Sequence, residues 1–207
     1  MNGYGLIGYP LTHSFSVAYF REKFATEQLV DCTYSNFPIA HSEELKEWLK
    51  AHTHLSGFNV TTPYKEVIIP LLDALDSSAE SVQAVNCVAR TPKGWVGYNT
   101  DVIGFEKSLE QTIAISQSTT TQNGMPDASN NPNHISPQFA IILGNGGSAK
   151  AVRYVLNQQH IPNQTWHRGK VINQIDIHLN EDISLDTPIP NHALIIQTTP
   201  VGMWPNI

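Results

Sequence analysis

Cysteine is nearly absent: Cys32 and Cys87 are the only two in a chain of 207 residues. Two isolated thiols make no disulfide framework, and neither stands in a metal-type pair such as CxxC, so a reducing cytoplasm is the expected setting. Long hydrophobic runs are missing as well. No stretch approaches the roughly 20 apolar residues of a membrane-spanning helix, and Met1 to Gly5 shows no basic segment leading into an apolar core. Secretion and membrane insertion are therefore not expected. Basic residues are few: 12 Lys and Arg stand against 18 Asp and Glu, a net charge of −6. Phosphate-backbone binding relies on clustered cations, so nucleic acid is not an expected partner. Among the nine histidines, His52 and His54 stand in a polar stretch without a partner motif, and no HExxH occurs, so no metal is assigned.

What is present is enough to fold. With 41% hydrophobic residues, the chain can bury the core of one large domain or two small ones. Short apolar runs alternate with helical periodicity over the first hundred residues, the pattern of crossover βαβ units around a largely parallel sheet. Strands are expected at Tyr4 to Gly8, Asp31 to Phe37, Phe58 to Thr61, Asn86 to Ala89 and Trp95 to Tyr98. Helices are expected after a Ser16 cap, with Val17, Phe20 and Phe24 on one face, and after a Ser42 cap, with Leu45, Trp48 and Leu49 forming the apolar stripe. Two more short helices are predicted over Val67 to Leu75 and Ser78 to Ala84.

A helix from Asp101 through Phe105 and Leu109 leads onward, and Ser116 to Pro137, rich in Ser, Thr, Asn, Gln, Pro and Gly, reads as a flexible insertion. Phe139 to Leu143 suits a strand buried on both faces, followed by a glycine turn and a helix with Val152, Val155 and Leu156 as its packing stripe. Thr165 to His167 is expected as the next strand, although Pro162, Asn163 and Gln164 make it polar for a central position. Ala193 to Gln197 reads as a later strand, ending at Thr198 and Thr199.

Three places in this frame carry chemistry. Gly57 to Lys65 sets a lysine just past a proline turn, and Asn99, Thr100 and Asp101 close another strand with a carboxylate that could pair with it. Alone, such a lysine is usually a solvated charge and such an aspartate a helix cap. Ser14 and Ser16 flank Phe15 at a strand-to-helix turn, where two hydroxyls and a helix N-terminus can take a carboxylate. Gly144, Gly146 and Ala149 match the GxGxxA dinucleotide fingerprint: the glycines allow a tight turn and close backbone approach, and helix N–H groups receive the pyrophosphate. NAD-selective sites carry an acidic residue about 20 positions past the glycines. No Asp or Glu occurs between Gly144 and Arg168, which favours NADP.

Taken together, these motifs resemble the shikimate dehydrogenase family. The resemblance runs from Tyr4 to about Ile207 through Gly8 to Ser16, Asn59 to Lys65, Ala84 to Val88, Asn99 to Asp101, Gly144 to Ala149 and Thr199 to Met203. It implies an α/β protein of two domains, a substrate-binding domain over 1–101 and a Rossmann-type NADP-binding domain over 102–207. The implied reaction is the reversible NADPH-dependent reduction of 3-dehydroshikimate to shikimate, in chorismate and aromatic amino acid biosynthesis. It further implies Lys65 and Asp101 as catalytic residues, and Ser14, Ser16, Thr61, Asn86 and Asp101 as the shikimate-binding set. Gly144, Gly146, Gly147, Ser148, Ala149, Arg168 and Thr199 would hold NADP. Where the family commonly reads Asn-Arg-Thr, this chain reads His167, Arg168, Gly169.

Family members continue past Thr199 to Met203, whereas this chain stops at Ile207. The expectation is a C-terminally incomplete chain, poorly active in isolation, as a monomer or homodimer. A quinate-accepting dehydrogenase using NAD would share most of these motifs, and a catalytically silent binding module would share some.

Overall fold

A computed structural model describes residues 2–12, 14–118, 137, 139–167, 170–174 and 193–199. The chain divides after Thr100 into two compact units.

The first unit is built on a six-stranded sheet. In chain order its strands are β1 (Asn2–Gly8), β2 (Cys32–Pro38), β3 (Leu55–Val60), β4 (Ala74–Leu75), β5 (Cys87–Thr91) and β6 (Gly94–Tyr98), and they lie side by side as β2-β1-β3-β5-β6-β4. β2, β1 and β3 are parallel, β5 and β6 form an antiparallel hairpin against β3, and β4 runs parallel to β6. The sheet is thus mixed rather than largely parallel, because a tight turn at Gly94 brings β6 directly back along β5.

Strand alternation distributes the aromatic side chains between the two faces. On β2, Tyr34 stacks on Phe20 of helix α1 (Ser16–Thr26), while Phe37, an odd number of residues on, meets Trp48 of helix α2 (Leu45–Ala51). The core gathers Ile7, Leu45, Val60, Tyr64, Ile68 and Val85, all nearly inaccessible to solvent. Leu45 and Leu49 are fully buried and Trp48 half-buried, so the α2 stripe packs where the periodicity puts it. A 3₁₀ turn over Ser42–Glu44 precedes α2, and no side chain caps it.

The helix predicted over Val67 to Leu75 does not form. Only Ile69–Leu71 makes a 3₁₀ turn, and Ala74–Leu75 joins the sheet edge as β4. Asp73 explains the difference: its N–H donates to Trp95 O, and its carboxylate accepts the Trp95 N–H at 2.7 Å. Pairing with a distant strand satisfies backbone groups that a helix interrupted by Pro70 would leave open. Helix α3 (Ser77–Val82) then starts from Asp76, whose side chain accepts the Ser78 N–H at 2.9 Å.

Helix α4 (Thr100–Ser118) leads from the last residue of the first unit into the second and runs past the break expected at Ser116. The rest of the predicted insertion, through 136, lies outside the described residues. A four-stranded sheet follows: β7 (Phe139–Leu143), β8 (Asn163–His167), β9 (Lys170–Gln174) and β10 (Ala193–Gln197), ordered β10-β7-β8-β9. β10, β7 and β8 are parallel and β9 is antiparallel. Helix α5 (Gly147–Gln158) follows β7 and buries Val152, Val155 and Leu156.

β8 is an interior strand despite its polarity. Asn163, Gln164 and Thr165 are fully buried, and each finds a partner: Asn163 donates to Asn157 Oδ1 at 2.8 Å, Gln164 accepts from Trp166 Nε1 at 2.7 Å, and Thr165 accepts from Arg153. These bonds offset most of the penalty that polarity would otherwise carry in a central strand, although Asn163 Oδ1 is buried without a hydrogen-bond partner among the described residues.

Candidate active site

In the first unit the candidate residues collect at the C-terminal ends of β1 and β3. Thr61 N–H donates to Ile7 O at 3.0 Å and Tyr9 N–H to Thr62 O at 3.0 Å, tying the loops after the two strands together. The Tyr64 hydroxyl, fully buried, donates to Ile39 O at 2.6 Å and pins the turn that carries Lys65. The Val85 N–H donates to Lys65 O at 2.7 Å, so Lys65 and Asn86 are held at adjoining points. Lys65 is half-buried and Asn86 buried.

Asn86 has a structural task as well. Its Oδ1 accepts from the Thr100 N–H at 2.8 Å and the Thr100 hydroxyl at 3.2 Å, anchoring the start of α4. Its carbonyl accepts the Val60 N–H at 2.9 Å and the Asn59 side-chain amide at 3.3 Å. Asn59 in turn accepts from the Tyr34 hydroxyl at 2.8 Å. That hydroxyl also meets the Ser16 side chain, and its pKa is pushed up to about 12, chiefly by burial. Ser16, Tyr34, Asn59, Asn86 and Thr100 therefore form one polar chain across the unit.

Ser16 does not cap α1. The N-cap position is Phe15, with helical backbone and no side-chain hydrogen bond, and the Ser16 N–H donates to Ser14 Oγ at 3.3 Å. A serine two residues upstream reaches that N–H as in an ST turn, which leaves the Ser16 hydroxyl to Tyr34.

An apolar cavity of about 350 Å³ lies beneath α1, walled by Tyr4, Phe20, Phe24, Phe58 and Val88. Its polar wall is Tyr34, Asn59 and Cys87, whose thiol is pushed up by burial. Its lining does not include Ser14, Thr61 or Lys65, so the candidate chemistry is not in this cavity.

In the second unit, half-buried Asp101 sits in the first turn of α4, where its carboxylate accepts from the Ser148 hydroxyl at 3.3 Å. A candidate catalytic residue and a candidate cofactor residue thus meet. Gly144 has φ +120°, and a Cβ there would fall 2.5 Å from Thr198 Oγ1. Only glycine fits that turn. Gly146 is the N-cap of α5, and a Cβ there would meet nothing within 4 Å. Open space in front of a twelve-residue helix, with its first N–H groups outside the helical ladder, fits a dinucleotide pyrophosphate. Gly147 and Ala149 are buried under that turn, and Thr199 donates from N–H and hydroxyl to Gln197 Oε1 at 3.1 and 2.8 Å. Arg168 lies outside the described residues.

Sequence reasoning missed Tyr34 and Asn59. Asn59 stands inside a quoted motif without an assigned role, and Tyr34 shows only as a polar-tipped aromatic on an alternating strand. Among the described residues no cluster of His, Cys, Asp and Glu is arranged to hold a metal ion, and no helix is long and apolar enough to cross a membrane.

Comparison with known proteins gives this geometry a context. Residues 6–88 match the family described as the shikimate dehydrogenase substrate binding domain. A curated relative from Nostoc sp., named shikimate dehydrogenase (NADP(+)), is 34% identical over 98% of this chain and 68% of its own length. The crystal structure of shikimate dehydrogenase from Aquifex aeolicus is 32% identical with TM-score 0.66, over 81% of this chain and 56% of that one. A Thermus thermophilus shikimate 5-dehydrogenase, solved with NADP(H) and shikimate, is 29% identical with TM-score 0.60, over 81% and 56% of the two chains.

Proposed function

The chain belongs to the shikimate dehydrogenase family of NADP-dependent oxidoreductases, and from that premise we propose that it serves the reversible reduction of 3-dehydroshikimate to shikimate. The first unit binds the substrate and the second the dinucleotide. The observation that carries this reading is the polar chain linking Ser16, Asn86 and Thr100 beside Lys65, matched in the second unit by a glycine turn opening α5.

Bound NADPH supplies the hydride. Lys65 as an ammonium donates the proton that the developing alkoxide takes up, Asp101 is the second catalytic residue, and in the oxidative direction the proton returns to Lys65. Ser14 and Ser16 hold the substrate carboxylate with their hydroxyls at the start of α1, while Thr61, Asn86 and Asp101 hold the ring hydroxyls. A site built to hydrogen-bond hydroxyl groups rejects analogues that lack them, because its own polar atoms are then left unpaired. Gly144, Gly146, Gly147, Ser148, Ala149 and Thr199 would hold the dinucleotide, and Arg168 is the residue assigned to its 2′-phosphate. The free thiols of Cys32 and Cys87 support a reducing cytoplasm as its compartment.

The test is to titrate the purified chain with shikimate and with NADP⁺ separately, then follow NADPH formation with both present. Saturable binding of each ligand with slow but measurable turnover of the pair is the expected result. Binding without turnover would favour a silent module, and preferential oxidation of quinate with NAD⁺ would replace the substrate and cofactor assignment.

A further inference from the structure

The cavity beneath α1 has no part in the roles above, yet its walls share one chemistry. About 350 Å³ in volume, it lies against the rings of Tyr4, Phe20, Phe24 and Phe58. Tyr4 and Phe24 are tilted by 47° with centroids 6.0 Å apart, and Phe20 and Phe24 by 44° at 5.8 Å. Rings set at such angles offer both faces and edges, the two surfaces against which another aromatic ring packs. Among the described residues no Asp, Glu, Lys, Arg or His lines the space. A carboxylate or phosphate entering it would lose hydration with no counter-charge to meet it, so neither shikimate nor a dinucleotide fits.

Tyr34, Asn59 and Cys87 gather at one place in the lining. Tyr34 and Asn59 are hydrogen-bonded at 2.8 Å, and Cys87 pairs with Asn59 between β5 and β3. The Tyr34 hydroxyl gives its proton to Asn59 and meets Ser16, and its oxygen has two lone pairs, so it can accept one hydrogen bond more. The Cys87 thiol, kept protonated by burial, is a weak donor. An acceptor with a donor nearby matches a hydroxyl group. Volume sets the size of the occupant: an apolar cavity of about 150 Å³ takes one benzene ring, and more than twice that space takes two fused rings. The outer wall is α1, none of whose eleven residues is fully buried and whose first is Ser16. A molecule held against Phe20 and Phe24 gives this helix contacts that the cavity denies it.

We infer that the cavity is a binding site for a neutral molecule of two fused aromatic rings carrying a hydroxyl group, and that its occupancy tightens shikimate binding by steadying α1. The binding site stands on the cavity alone. The coupling rests on the reading of Ser14 and Ser16 as the carboxylate site, and it is reciprocal: a ligand that favours the settled helix favours any other ligand that does so.

The test is fluorescence titration of the full chain with 2-naphthol, first alone and then with shikimate. Saturable binding is expected, with naphthalene weaker by about fivefold for the lost hydrogen bond and 2-naphthoate weaker by about tenfold or more for its charge. Ala89→Leu enlarges a lining side chain on β5. It should weaken 2-naphthol about tenfold or more and leave shikimate affinity without 2-naphthol within about twofold. Saturating 2-naphthol should slow amide exchange in α1 and tighten shikimate about fivefold. Diffraction from crystals with 6-bromo-2-naphthol should place the bromine beneath α1, whether or not Ala89→Leu folds. No binding of 2-naphthol, equal binding of 2-naphthoate, or electron density for the chain's own residues in the cavity would overturn the site. Unchanged shikimate affinity with 2-naphthol bound would overturn the coupling, and a chain that binds 2-naphthol but no shikimate would overturn the substrate reading and the coupling together while the site stands.

Discussion

Replacing Tyr34 with Phe deletes one oxygen from the polar chain and keeps the ring stacked on Phe20, at a centroid distance of 4.3 Å and an interplanar angle of 12°. What is lost is the 2.8 Å hydrogen bond to Asn59 Oδ1. Leaving that part-buried oxygen without its donor costs about 1–2 kcal/mol. A second contribution depends on pH. Burial holds the phenol near 12 in the folded chain against an ordinary 10.0. Between those values the folded state keeps a proton that the unfolded state has released, so stability falls as pH rises through the window. Two units would correspond to ~2.7 kcal/mol. A half-exposed site is screened by solvent, and about 1 kcal/mol is the realistic share.

Tyr34→Phe is therefore expected to be less stable than the parent by about 1–2 kcal/mol at pH 8, with the gap narrowing by about 1 kcal/mol as pH rises past 10. Urea unfolding followed by circular dichroism, in steps from about pH 8 to pH 11, reads both quantities. Because Ser16 and Asn59 meet at the same hydroxyl, shikimate affinity should fall severalfold in parallel. Equal stability of the two proteins at pH 8 would show that the hydrogen bond contributes nothing. A gap that stays constant with pH would remove the buried-phenol argument.

Two further substitutions probe the roles assigned to the two units. Lys65→Ala should lower turnover by about 10²- to 10⁴-fold, the usual worth of positioned proton transfer, with a smaller change in shikimate affinity; steady-state rates with calorimetry decide it, and unchanged turnover would take Lys65 out of the mechanism. Gly144→Ala forces a Cβ to 2.5 Å from Thr198 Oγ1 on a backbone at φ +120°. It should abolish NADP⁺ binding while the first unit still binds shikimate, and retained dinucleotide affinity would refute the reading of that turn.

Local pattern revealed most of the framework. β1, β2, β3 and the β5-β6 hairpin follow from short apolar runs bounded by turn residues, and α2 and α5 from their stripes of Leu and Val. What the pattern hid depends on partners far away in the chain. Val67 to Leu75 carries helix-like spacing, but Asp73 reaches Trp95 and draws the segment to the sheet edge. β8 looks too polar for an interior strand until Asn157, Arg153 and Trp166 are seen to pair with most of its polar groups. β9, antiparallel and polar, gives no signal that single-sequence periodicity can separate from a loop.

The site divides along the same line. Lys65, Asn86 and the glycine turn are legible because their motifs are contiguous, and the turn chemistry of Gly144 is written in its own backbone requirement. Tyr34 and Asn59 have no meaning until register is known: Asn59 pairs with Leu6 on one side and Cys87 on the other, which puts its amide next to Asn86, and Tyr34 lies within reach across β1. A one-residue slip of β3 would turn Asn59 to the opposite face and break the link from Ser16 to Thr100. The motifs thus name the groups that could do chemistry, while strand register decides which of them share a hydrogen-bonded network, and a sequence read alone carries the first kind of information far more strongly than the second.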